Sequence, residues 1–137
     1  MSVSQSEQDD FENGFFYFVD ALKILEMNAE AQCEHVGNYN VPWELQHDVS
    51  GGGMALVRSP ASYLTREQAD KVIELSLALN GLPQEAMAPP GLLTSDHVGS
   101  LMAMNHVSWA FMRQKAAQLL QLLDSAIQKN KSYFGLK

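Results

Sequence analysis

Four histidines, one cysteine and sixteen carboxylates carry the metal-ligating and acid–base chemistry of this 137-residue sequence. Glu44-x-x-His47 puts a carboxylate and an imidazole within one helical turn of each other, a spacing that can serve a metal ion. Cys33-x-His35 pairs a thiol with an imidazole. On a helix two such side chains point roughly 200° apart, so they cannot share a ligand, and Cys33 reads as a small buried residue beside an apolar stripe. A nucleophilic Cys33 needs a nearby base and a depressed thiol pKa. His97 and His106 are nine residues apart, hence on opposite faces of a helix. His97 reads as an exposed first-turn residue, and His106 as hydrogen-bonded and partly buried. Ser50-Gly51-Gly52-Gly53 lacks the Gly-Lys-Ser/Thr ending of a phosphate loop and reads as a flexible break.

Two short runs bear a partial resemblance to known bundles. Glu44-x-x-His47 resembles half of the carboxylate–histidine motif of ferritin-like di-iron proteins, which requires a second copy and two further glutamates on long helices. This chain has one copy, in a stretch that reads as a loop. His97-Val98-Gly99-Ser100 is similar to the exposed-histidine run of histidine phosphotransfer bundles but lacks the two intervening positions and their lysine. Nothing is carried over from either. The expectation is no catalytic residue, no metal ligand and no cofactor.

The elements that would position these side chains are helical. Val98, Met102, Trp109, Met112, Ala116, Leu120, Leu123 and Ile127 recur at spacings of three, four and seven, which predicts one helix over residues 94–129. Thr94 is the expected cap, Leu93 and Val98 the expected hydrophobic staple, and Asp96 a favourable first-turn charge. Such a helix would span roughly 50 Å, long against a compact radius of roughly 14–15 Å. Phe11, Phe15, Phe18, Leu22, Leu25, Ala29 and Val36 follow a near-heptad spacing and predict a second long helix over 9–36, ended by Gly37 and Asn38. A medium helix is expected over 66–80, opened by a Thr65/Gln68 capping box and closed by a Schellman turn at Gly81 and Leu82 packed on Leu77. Residues 38–64 read as a long loop with one helical turn after Pro42, pinned by Trp43 and Leu56. Residues 82–91 read as a stiff linker.

The fold class expected is therefore all-α: a bundle of two long helices and one medium helix, with a short helical turn in a long loop. Residues 1–8 are expected to form a disordered polar tail and residues 9–137 a single domain. Hydrophobic residues make up 46% and charged residues 18% of the chain, which is globular composition. A net charge of −7 without a visible Lys/Arg cluster argues against nonspecific nucleic-acid binding, and no apolar run reaches membrane-span length. A single cysteine excludes an internal disulfide and fits the cytoplasm.

The pattern also leaves apolar residues without cover. Phe16, Tyr17 and Val19 on the first helix, and Met104, Val107 and Phe111 on the last, lie off the main stripes and form the expected interface of a homodimer. The functional reading is a noncatalytic, self-associating interaction, regulatory or immunity-type module, its acidic surface suited to a basic protein partner. The alternative is a small-molecule-binding or metal-dependent bundle enzyme with a pocket roofed by residues 38–64.

Overall fold

A computed structural model describes residues 2–37 and 40–136. The described residues form eight helices and no strand: α1 Gln5–Glu26, α2 Ala29–Val36, α3 Val41–Arg58, α4 Arg66–Asn80, α5 Gln84–Met87, α6 His97–Met104, α7 Val107–Leu122 and α8 Asp124–Tyr133. The all-α class holds. The two unbroken long helices and the long loop do not.

Residues 5–8, read from sequence as tail, are the first turn of α1. Ser4 Oγ accepts from Glu7 N–H while Glu7 Oε1 accepts from Ser4 N–H, a reciprocal capping box. The expected 9–36 helix breaks at Met27 and Asn28, both extended, because the Asn28 side chain accepts from Ala31 N–H and starts α2 instead. Gly37 ends α2 at φ 78°, where other residues are strained. Asn38 lies outside the described residues.

The largest departure is α3. Asn40 caps it by accepting from Trp43 N–H, Pro42 sits in its first turn, and it runs on for 18 residues through Gly51, Gly52 and Gly53. Each glycine disfavours a helix interior by about 1 kcal/mol. Packing overrides that penalty: Val41, Leu45, Val49 and Leu56 are buried where α3 lies on α1 and α4. Gly53 is required there, since a Cβ would lie 2.9 Å from both Ser76 Oγ and Val72 Cγ1. The Met54–Val57 run that could have been a strand is the last turn of this helix.

Helix α4 has the expected bounds and the expected capping box. Its end differs: Gly81 has φ −94°, so no left-handed Schellman turn forms, and Leu77 is exposed rather than packed on Leu82. The segment 82–91 contains the short α5, whose Ala86 carbonyl accepts from buried Trp109 Nε1 at 2.8 Å.

The expected 94–129 helix is divided. Its start is two residues later than the Thr94 cap implies, with Asp96 at the cap position and Thr94 buried, its carbonyl accepting from Ser100 Oγ at 2.6 Å. Gly99 is what allows α6 to lie on the preceding turn, because a Cβ would meet the Leu93 carbonyl oxygen at 2.0 Å. At Asn105–His106 the chain turns a corner. Asn105 Nδ2 donates to the Leu101 carbonyl, and His106 caps α7 by accepting from Ser108 N–H. The α7–α8 junction at Leu123 is milder, since Leu123 donates to Leu119 and Ile127 to Leu123 in unbroken sequence.

The corner resets which side of the chain is inward. Gly99, Ser100, Ala103 and Met104 are the buried residues of α6, whereas Val98 and Met102 of the expected stripe are exposed. Beyond the corner the stripe behaves as expected at Trp109, Met112, Ala116 and Leu123, all buried. One core gathers the aromatic and aliphatic faces of α1, α3, α4 and α7 around Phe15, Phe18, Leu22, Leu45, Leu79 and Trp109.

Candidate functional site

The side chains with metal or nucleophile chemistry are dispersed. Glu44 and His47 share α3, and the His47 ring stacks on Trp43 with centroids 4.4 Å apart at 15°. Trp43 itself is half exposed, so it does not pin a loop. Cys33 is buried and His35 exposed on opposite sides of α2. Cys33 lines the floor of an open cleft with Glu30, Glu34 and His97. Burial pushes its thiol up, partly opposed by nearby Arg113, which is the reverse of an activated nucleophile. His97 is exposed in the first turn of α6, and His106 is a half-buried cap residue. Among the described residues no three His, Cys, Asp or Glu side chains come within reach of one metal ion.

Sequence reasoning missed two interior polar clusters. The first joins α1, α8 and the 59–65 connection. Glu12, only 2% exposed, accepts from Tyr63 Oη at 2.6 Å and from Asn130 Nδ2 at 2.9 Å, and Asn130 also donates to the Glu12 carbonyl at 3.0 Å. Burial, and then the bond to Glu12, push the Tyr63 phenol above its ordinary range, while Lys129 Nζ lies 4.3 Å from its ring centroid. Tyr133 Oη donates to Asp9 one turn along the same seam.

The second cluster joins α2, α6 and α7. Arg113 donates to Gln32 Oε1 at 3.0 Å and to the Met104 carbonyl. Buried Gln32 donates in turn to the Leu25 carbonyl at 2.7 Å. Desolvation pulls the Arg113 guanidinium down from its ordinary value, and its Nε–H has no partner. Each cluster sets neutral hydrogen-bond partners around one acidic or basic side chain, Glu12 or Arg113. Each fastens helices rather than opening onto a ligand cavity.

The six residues expected at an interface divide three ways. Val19 and Met104 are buried within the chain, so they present nothing to a partner. The Asn105–His106 corner explains Met104, because it turns that side chain inward. Phe16 and Tyr17 are exposed and belong to an edge-to-face cluster with Tyr133 and Phe134. Val107 and Phe111 lie one turn apart on α7, 65% and 60% exposed. Just before the corner, Leu93, Val98 and Met102 are exposed as well. Residues 97–123 contain no Asp or Glu, although the chain has sixteen. Exposed apolar side chains therefore coincide here with a run of sequence that has no carboxylate.

Comparison with family models, with curated proteins and with solved structures found no match. No helix among the described residues is long and apolar enough to cross a membrane.

Proposed function

We propose that the protein is a noncatalytic, self-associating interaction module of the cytoplasm, and that two copies meet through the carboxylate-free stretch around the Asn105–His106 corner. One observation carries the reading. Val98 and Met102 on α6, with Val107 and Phe111 on α7, are all more than half exposed in a stretch, residues 97–123, that itself contains no carboxylate. Exposed large apolar side chains at successive turns are unusual on a lone chain. An acidic protein can bring two copies together at such a face without setting carboxylates against each other. The remaining acidic surface then suits a basic protein partner, in the manner of an adaptor, regulator or immunity-type inhibitor.

Size exclusion with light scattering tests this. The expected mass is twice the 15.2 kDa chain, and a monomer at micromolar concentration overturns the proposal. Phe111→Glu should give a monomer of unchanged circular dichroism, because Phe111 is 60% exposed and the substitution places an unpaired charge in the seam. A Phe111→Glu protein that remains dimeric moves the interface elsewhere.

A further inference from the structure

The glycine run of α3 is only partly explained by packing. Gly53 has no room for a Cβ, as described above. At Gly51 a Cβ would meet nothing within 4 Å, and at Gly52 it would meet only Phe18 Cδ1 at an ordinary 3.6 Å. The internal packing therefore tolerates alanine at both positions, yet the chain keeps two residues that weaken the helix. Both glycines line a groove of about 590 Å³ between α1 and α3, whose α1 wall presents Gly14 and Ala21. The small residues on both walls hold the groove open.

The lining has a definite chemistry. Ile24, Val36 and Leu45 make it apolar, and Tyr17 supplies an exposed aromatic ring. Two carboxylates, Asp20 from α1 and Asp48 from α3, line it from opposite walls. Neither has an ion-pair partner among the described residues, where the salt bridges are those of Glu74 with Lys71 and Lys115. His47 is the one basic side chain in the lining. Both carboxylates are exposed; partial desolvation still raises the Asp48 carboxyl, with nearby His47 opposing the shift.

We propose that this groove binds a small organic cation: an apolar, aromatic-sized body lying over Gly51 and Gly52 with an ammonium group held by Asp20 and Asp48. The volume lies in the roughly 300–1,000 Å³ range of small-ligand sites. Along α1 the lining runs from Gly14 to Ile24, roughly 15 Å of helix, which accommodates one such molecule lengthwise. The acidic lining selects a cation over an anion and disfavours a second copy of this acidic chain. The site lies outside the α6–α7 face and does not depend on self-association.

Fluorescence titration with dansylcadaverine, which joins an aromatic body to one ammonium, tests the site directly. Saturable one-to-one binding is expected, about tenfold tighter than that of dansylamide, which has the same fluorophore and no charge. Asp48→Asn should weaken dansylcadaverine about fivefold and leave dansylamide unchanged. Gly51→Leu should fill the groove and weaken both probes about tenfold or more with circular dichroism preserved. Equal binding of the two probes, non-saturable binding, or wild-type affinity in Gly51→Leu overturns the proposal. So does a groove that ignores both probes but takes up a lysine-bearing amphipathic peptide.

Discussion

The α1–α8 seam and the α2–α6–α7 corner solve the same problem with opposite charges. At the seam the ionisable group is an acid, Glu12, and both oxygen-seeking donors that reach it, Tyr63 Oη and Asn130 Nδ2, are neutral. At the corner it is a base, Arg113, and its acceptors, Gln32 Oε1 and the Met104 carbonyl, are neutral as well. The chain could have paired Glu12 with Arg113 and did not. A buried ion pair forfeits the hydration of two charges at once, whereas each of these clusters desolvates one group and satisfies it with dipoles. They differ in completeness. Glu12 is almost wholly out of water and has partners on two other segments, while Arg113 is half-buried and leaves its Nε–H unpaired.

That difference ranks the expected effects of substitution. Asn130→Ala removes two donors from a buried acceptor set and should destabilise the protein by about 3 kcal/mol, read as a lower urea midpoint at unchanged slope. Tyr63→Phe keeps the ring but removes one bond to Glu12, and a loss of about 1–2 kcal/mol is expected. Arg113→Met should fall within about 1 kcal/mol of the parent protein, since the lost hydrogen bonds are offset by removing a desolvated cation. A loss at Arg113 as large as that at Asn130 would break the comparison and make the two clusters equivalent. A stabilised Arg113→Met protein would sharpen it.

The sequence was legible where local and tertiary preferences agree. The α4 bounds followed from Thr65/Gln68 and Gly81, and the buried face of α1 from its near-heptad spacing. The helix breaks at Asn28 and at Asn105–His106 were hidden because the apolar period continues across them. Asn28, Asn105 and His106 are side chains able to bond the backbone, and that was the available signal. The failure at α3 has the opposite origin: three glycines read as a break, and burial against α1 and α4 outweighed a few kcal/mol of propensity. Of the proposed surface residues, Phe16, Tyr17, Val107 and Phe111 are exposed. Val19 is not, because α8 packs on that side of α1, and Met104 is not, because a stripe drawn through the Asn105–His106 corner assigns the wrong inward side to α6. The groove beneath Gly51 and Gly52 could not be read at all without knowing that α3 is a helix.

The bond from Asn130 to Glu12 crosses 118 positions of sequence, and this gives the seam a place in time as well as in space. A ribosome adds roughly 5–20 residues per second, so Glu12 waits roughly 6–24 s after its own synthesis before Asn130 exists. During that interval α1 can form its turns and Tyr63, 51 positions on, becomes available to Glu12, but the two bonds from Asn130 cannot form. Closure of the native seam is therefore a late event on the nascent chain, and α8 is the segment whose arrival licenses it.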